Sequence, residues 1–288
     1  MTNEQYLTKM ELDMRLKNFT DSTRKDYTRY VTRFLNFTQK PAMEITYGDI
    51  RKFIFHMMDI EKKKASTINT YTAAIRFFFE YTLGYLWDSR KIPKMKLDRH
   101  LPVVLTMEQA YTLIESFENY KHKAIVSTMY SSGMRVSEVC HLRYEDISRS
   151  RHMIHVPVSK NRQDRYAILS DYNLEILTEY WFRFNRPRGW LFPSTVRDEP
   201  LTNSAVEQVV KRQAALLDLP EGVTPHTLRH SFACHMLEGG ASKEYIQQLL
   251  GHRSPKSTDT YLQMTSKALL GLKSPLDVYR EGLRNDDK

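Results

Sequence analysis

The feature that most constrains the fold is a break in the hydrophobic pattern about a third of the way along the chain. Helical spacing of apolar residues ends by residue 87, and residues 88–102 carry two prolines, five lysine or arginine residues and little periodicity. Such a run is typical of an extended linker, because proline cannot continue a helix. The 288 residues allow a domain on each side. We therefore predict a first domain at 1–87, a basic linker at 88–103 and a second domain that begins at residue 104.

The first domain is predicted to be helical. Apolar residues recur every three or four positions after an N-cap signal at Asp21-Ser22-Thr23, again over 47–60, and again from about Ser66. The aromatic residues in these segments are expected to form the core. Residues 1–100 hold 19 basic and 12 acidic side chains, a balance of +7, whereas the remainder has a balance of +2. This asymmetry favours a module that grips nucleic acid, with a solvated basic surface as the alternative.

The second domain is predicted to be mainly α with a small antiparallel β-sheet, an α+β arrangement. Thr106 marks a helix start, and 124–130 is a short apolar helix. Alternation of apolar and polar residues over 152–168 predicts a β-hairpin whose basic turn spans 160–165. Further helices are expected at about 205–217, 225–238, 243–250 and 257–263.

Several classes of protein are excluded by what the sequence lacks. Its two cysteines, Cys140 and Cys234, are far apart, so a disulfide framework and a cysteine-rich zinc site are not expected. Neither glycine-rich nucleotide-phosphate motif occurs. No run of eighteen uncharged apolar residues is found, and the N-terminus has acidic residues where a signal peptide would be apolar. We expect a cytoplasmic protein without a cofactor or a membrane partner.

Four short segments of the second domain carry side chains suited to phosphodiester chemistry. Taken singly each is weak, because an arginine on a helix is usually a surface charge and a histidine beside apolar residues is usually part of the core. Two arginines would nevertheless match the oxygens of a phosphate, and a tyrosine could act as the nucleophile. The segments lack paired acidic metal ligands, so a two-metal nuclease is not expected. The candidate residues are Arg135, Lys160, His226, Arg229, His252 and Tyr261.

The order of these residues resembles the signature of the tyrosine recombinase (lambda-integrase-like) family. That signature is an arginine, a hairpin lysine, the motif HxxR, a histidine and a nucleophilic tyrosine. The steps from His226 to Arg229 and from His252 to Tyr261 are three and nine residues, and the contexts HTLRHSFACHMLEGG and QQLLGHRSPKSTDTY are also similar. The resemblance implies a helical core-binding domain followed by a catalytic domain. It further implies a site-specific DNA recombinase or integrase that works through a 3′-phosphotyrosine.

The resemblance also implies a role for each residue and a set of partners. Tyr261 would attack the phosphate, His226 and His252 would assist as base and hydrogen-bond donors, and Lys160 would protonate the departing 5′-oxygen. No metal or cofactor is implied. Four protomers would act on two double-stranded DNA sites through a Holliday junction, with accessory DNA-binding proteins as possible partners. The catalytic domain would span 104–268, and the C-terminal tail at 269–288, with its leucines from Leu269 to Leu276, would dock on a neighbouring protomer or fold back on its own domain.

Some assignments stay open at this point. Ser159-Lys160-Asn161 lacks the glycines that flank the lysine in many relatives, so Arg162 competes for the hairpin position. Glu138 either orients the site or forms an ordinary ion pair with Arg135. His226 and His230 have the spacing of a zinc pair but no HExxH motif.

Alternatives to a recombinase are also open. A non-catalytic DNA-binding regulator and a type IB topoisomerase-like enzyme would share the fold. Neither the recognition sequence nor the choice between integration or excision of a mobile element and resolution of dimeric replicons can be predicted.

Overall fold

The computed structural model describes residues 1–97, 102–157, 164–195, 199–251 and 261. The chain divides into two compact units, Met1–His100 and Leu101–Lys288. Both are mainly helical, and the second also holds a small antiparallel sheet, so the predicted fold class is confirmed. Within the described part of the chain, no helix is long and apolar enough to cross a membrane.

The first unit is a bundle of four helices. The second and third predicted segments correspond to two of them, and the helix that follows residue 20 is capped by Thr20, one residue earlier than expected. A helix at the N-terminus was not predicted. The last two helices each continue into a wider π-helical turn, at His56–Ile60 and Phe78–Leu83. The helices are α1 (Asn3–Leu16), α2 (Asp21–Thr38), α3 (Tyr47–Phe55) and α4 (Ala65–Phe77).

Threonine caps and an aromatic core account for this bundle. The side chains of Thr2, Thr20 and Thr46 accept hydrogen bonds from the first turns of α1, α2 and α3, an arrangement that contributes about 1 kcal/mol per helix. Two aromatic residues that the spacing predicted to be internal, Phe34 and Phe78, are fully buried. The aromatic side chains of α2 and α4 therefore serve mainly the core, and the basic residues are left on the outside.

The first residues of the predicted linker are held against this bundle. Ile92 is buried in its core. The side-chain amide of Asn69 donates to the carbonyl of Met95 at 3.0 Å and accepts from its N–H at 2.9 Å. Arg51 donates to the carbonyl of Lys91 at 3.1 Å. The segment is thus fixed to the first unit as far as Met95.

The sheet of the second unit contains the predicted hairpin. Strands β1 (Ile147–Ser148), β2 (Met153–Val156) and β3 (Arg165–Ile168) follow in that order, and both pairings are antiparallel. The prediction that Arg165 lies in the turn was wrong. Arg165 is the first residue of β3, because its backbone pairs with Val156 at the end of the β2–β3 ladder. The turn residues 158–163, with Lys160 and Arg162, lie outside the described residues.

The described part of the second unit also contains seven α-helices. The helices predicted near 225–238 and 243–250 begin and end at the predicted residues. The helix predicted at 124–130 is longer and spans Tyr120–Ser132. The helix after β3 was not predicted. Of the helix expected at 257–263, only Tyr261 is described, and it is helical. The helices are α5 (Met107–Glu115), α6 (Tyr120–Ser132), α7 (Val136–Cys140), α8 (Asp171–Arg183), α9 (Asn203–Leu216), α10 (Pro225–Glu238) and α11 (Lys243–Leu250).

Helix α6 lies at the centre of the second unit. Its residues from Ala124 to Met129 are almost entirely buried. The two ends of the helix are more polar, so apolar spacing alone predicted only its middle. A smaller apolar cluster forms between α10 and α11, and it includes Phe232, Ile246 and Tyr261. The C-terminal end of α6, the start of α7, and helices α10 and α11 meet around this smaller cluster, and the candidates Arg135, Arg229 and Tyr261 are found there.

Candidate active site

A glycine turn at the end of α6 brings the first arginine into place. Gly133 has φ +63°, and a Cβ atom there would lie 2.3 Å from a ring carbon of Phe232 and 2.8 Å from a methyl carbon of Leu250. Glycine is therefore required both by the backbone conformation and by the close packing. Met134 is buried directly after the turn, and Arg135 becomes the N-cap residue of α7.

Arg135 is held by Glu138, one helical turn further on. The backbone N–H of Arg135 donates to Glu138 Oε2 at 2.8 Å, and its Nη1 donates to Oε1 at 2.7 Å. The Glu138 side chain is only 14% exposed. Burial alone would raise the pKa of Glu138, but hydrogen bonds and charge from Arg165, together with Arg135, bring this pKa to about 2. Glu138 is therefore an ionised carboxylate. The sequence left open whether it orients the site or forms an ion pair with Arg135, and a single contact with Arg135 does both.

Arg165 is the second arginine bound to this carboxylate. Its Nη1 and Nη2 donate to the two oxygens of Glu138 at 3.1 and 2.8 Å, in the forked geometry that guanidinium and carboxylate favour. Its Nε donates to the carbonyl oxygen of Leu249 at 2.8 Å. The sequence analysis placed Arg165 only in a basic turn, so this contact was missed. Its position just after the hairpin turn was a signal, but its partner lies 27 residues earlier.

Arg229 is almost fully buried, at 3% exposure. Its Nη1 and Nη2 donate to the carbonyl oxygens of Gly133 and Leu250, each at 2.7 Å, so the guanidinium joins the end of α6 to the end of α11. Burial, followed by the charge of Arg135, lowers the pKa of Arg229 to about 10. Arg229 is therefore still protonated at neutral pH, and Arg135 is close enough to influence it.

Tyr261 lies beside these arginines with its ring buried. Its hydroxyl is 3.2 Å from Nδ1 of His230, and it also interacts with Arg229. Burial raises the pKa of Tyr261, while the charge and hydrogen bond of Arg229 act in the opposite direction. Burial, then the charges of His226 and Arg229, lowers the pKa of His230 to about 4. His230 is thus a neutral imidazole at neutral pH, and Nδ1 can accept a hydrogen bond from the hydroxyl group when the ring proton is on Nε2.

His226 and His230 lie one turn apart on α10. Their rings are roughly parallel, with centroids 6.2 Å apart, and His226 is exposed. Among the described residues, no group of three or more histidine, cysteine or acidic side chains could hold a metal ion. His230, weighed from the sequence only as a zinc ligand, instead contacts Tyr261. Its position directly after Arg229 was the available signal.

The structure brings four of the six candidate residues to one place. Arg135, Arg229 and Tyr261 lie within electrostatic range of one another, and His226 contacts His230 beside them. Lys160 and His252 lie outside the described residues, although Gly251, directly before His252, lies against Arg165. The result is a positively charged cluster that holds a tyrosine hydroxyl and a neutral imidazole, a combination suited to attack on a phosphodiester.

Comparison with known proteins identifies the family of the chain. The model of the phage integrase family matches residues 103–267, and that of its N-terminal SAM-like domain matches residues 6–89. The protein y4qK of Sinorhizobium fredii, assigned as an integrase/recombinase, is 36% identical over 94% of this chain and 88% of its own length. The tyrosine recombinase XerC of Thermodesulfovibrio yellowstonii is 30% identical over 94% of this chain and 95% of its own.

A solved structure supports the fold. A lambda integrase dimer bound to a COC′ core site has a TM-score of 0.70 at 20% identity, covering 91% of this chain and 95% of that chain. The chain belongs to the phage integrase family. Within that family it is a tyrosine recombinase, an enzyme that breaks and rejoins DNA strands at specific sites through a phosphotyrosine intermediate.

Proposed function

We propose that Arg135, Arg229 and Tyr261 form the centre of the recombinase active site. The two arginines bind the non-bridging oxygens of the scissile phosphate, and the hydroxyl oxygen of Tyr261 attacks the phosphorus. The observation that supports this proposal is that the tyrosine hydroxyl and both guanidinium groups lie within electrostatic range of one another, although they come from three separate segments.

The arginines suit this role because their positions are fixed before DNA binds. Arg229 uses two N–H groups on the carbonyls of Gly133 and Leu250 and has others left for a phosphate oxygen. Arg135 is fixed at its backbone and at Nη1 by Glu138. Fixed donors stabilise developing charge without reorganising during the reaction, a type of contribution that is typically worth 10²–10³ in rate.

Proton transfer accompanies each strand cleavage. Tyr261 loses its proton to the base as it attacks, and His230 Nδ1, 3.2 Å from the Tyr261 hydroxyl, orients that hydroxyl through a hydrogen bond. The bond from phosphorus to the 5′-oxygen breaks as the bond to Tyr261 forms. Lys160 gives a proton to the departing oxygen, and His226 and His252 act as base and hydrogen-bond donors to the phosphate. One phosphodiester is exchanged for another, so rejoining needs no energy source.

The assembly follows from the same proposal. The residue 1–87 domain, with its excess of basic residues, and the domain at 104–268 bind double-stranded DNA sites together, joined by the 88–103 linker. Four protomers act on two sites through a Holliday junction, with the tail at 269–288 docked between protomers, and accessory DNA-binding proteins can join this assembly. The lambda integrase neighbour is a dimer bound to a core site, which supports the binding of more than one protomer to DNA.

A covalent adduct on DNA tests the proposal. A site is first selected from a pool of random duplexes with the full-length protein, and a nick placed beside the cleavage position then traps the product. We expect a denaturing gel to show an adduct for wild type and none for Tyr261→Phe. The matched control is Tyr245→Phe, because Tyr245 lies on α11 and is 48% exposed, so its loss should leave the adduct unchanged.

Two other outcomes would contradict the proposal. An adduct that persists in Tyr261→Phe would mean that another residue is the nucleophile. Tight binding of the selected site without any wild-type adduct would instead indicate a DNA-binding regulator.

DNA affinity should also fall steeply with salt concentration, because basic side chains displace counterions from the phosphates.

A further inference from the structure

We propose that Arg165 is a positioning residue for strand cleavage, acting through Glu138 on Arg135 and through Leu249 on the end of α11. The inference rests on the proposed role of Arg135 in binding the scissile phosphate. Arg165 does not itself need to touch DNA. Its guanidinium uses all three of its nitrogens on protein acceptors, and its side chain is 14% exposed.

The first step of the argument concerns charge. Arg135 and Glu138 alone would form a neutral pair, which attracts a phosphate poorly. Arg165 adds a second positive charge to the same carboxylate, so the group of three keeps a net charge of +1. Because Glu138 is shared between two cations, Arg135 remains available for an anionic ligand. The site thus owes part of its positive potential to an arginine whose own guanidinium is bound to protein acceptors.

The second step concerns geometry. Each oxygen of Glu138 accepts one hydrogen bond from Arg135 and one from Arg165, so the carboxylate plane is set by both residues. A carboxylate held on one side only could rotate and carry Arg135 with it. Small displacements of a positioned group cost much of its contribution to the rate. Arg165 therefore fixes the orientation of the arginine that binds the phosphate.

The third step concerns the segments that Arg165 connects. It stands at the start of β3, directly after the hairpin turn of residues 158–163, and it bonds Glu138 in α7 and the carbonyl of Leu249 in α11. Gly251, with φ +61°, lies against it: a Cβ there would be 3.2 Å from Arg165 Cδ. One side chain thus joins the strand that follows the lysine turn to the turn that precedes His252.

Cleavage kinetics can test this role. Single-turnover adduct formation is measured on the selected nicked duplex for full-length wild type, Arg165→Met and Arg165→Lys, together with DNA affinity and the thermal midpoint. We expect Arg165→Met to slow cleavage about 100-fold, as removal of a preorganised charge does, with a much smaller loss of DNA affinity, because many other basic side chains contribute to binding. Arg165→Lys restores the charge but not the fork and should recover part of this rate. The matched control is Arg183→Met, which breaks an exposed arginine–carboxylate pair with Glu179 and should have no effect.

A double-mutant cycle separates positioning from general stabilisation. In an Arg135→Lys background, Arg165→Met should slow cleavage little further, because the group through which it acts is already altered. An undiminished loss in that background, or wild-type cleavage by Arg165→Met, would overturn the inference. If Arg165→Met does not fold, the same cycle is carried by Arg165→Lys. Absence of any wild-type adduct would count against the proposed function instead.

Discussion

Replacement of Gly133 by alanine should destabilise the second unit strongly. The new Cβ would lie 2.3 and 2.6 Å from two ring carbons of Phe232 and 2.8 Å from Leu250, at a backbone φ of +63°. The left-handed conformation costs an alanine roughly 1–2 kcal/mol. Forcing a methyl group into a packed core costs roughly 1–3 kcal/mol more. We therefore expect a loss of about 2–5 kcal/mol in the free energy of unfolding, the sum of these two ranges.

Thermal unfolding gives the size of this effect. For a domain of this size each kcal/mol shifts the midpoint by roughly 2–4 °C, so the fall should be on the order of 10 °C. Gly222→Ala is the matched control, since Gly222 has φ +85° and no atom lies within 4 Å of the position that a Cβ would take there. It should lose only the conformational part, about 1–2 kcal/mol. Equal losses in the two variants would refute the packing argument.

Three further results are expected. Arg229→Lys should lower the free energy of unfolding, measured by urea titration, by roughly 1–3 kcal/mol, because one ammonium group cannot satisfy both buried carbonyls. It should also abolish the adduct, and a stable, active variant would contradict this reasoning. The pKa of Glu138 is about 2, below its ordinary 4.5, so its stabilisation is complete above pH 4.5 and is lost as the pH falls towards 2. Urea titrations should show a flatter acid limb for Glu138→Gln, and an unchanged slope would argue against the ionised triad. Burial raises the pKa of both Cys140 and Cys234 to about 11, so maleimide at about pH 8 should label the urea-unfolded chain much faster than the native one, and equal rates would be inconsistent with this burial.

Regular apolar spacing made much of the fold predictable. Helices α10 and α11 follow directly from their spacing and stop signals, and the β2–β3 hairpin from its alternation. Helix α1 was missed because Met10 and Met14 are its only buried residues, so its sequence is largely polar. A helix of this kind is stabilised by packing against its neighbours, which local sequence does not reveal.

Part of the candidate site was predictable as a group of residues, but their contacts were not. Residue order pointed to Arg135, Arg229 and Tyr261, and the structure places these three together. The contacts of Arg165 with Glu138 and of His230 with Tyr261 span 27 and 31 residues. Contacts between distant segments depend on tertiary packing, and one sequence carries no spacing rule for them.

The two carbonyl contacts of Arg229 bear on how inactive descendants of such an enzyme can be recognised. A lineage that kept only the fold would still be selected to retain Arg229, because its loss would leave the buried carbonyls of Gly133 and Leu250 without donors. His226 is exposed, so the fold alone would place little constraint on it. In a genome survey, retention of His226 would therefore be stronger evidence of a working recombinase than retention of Arg229.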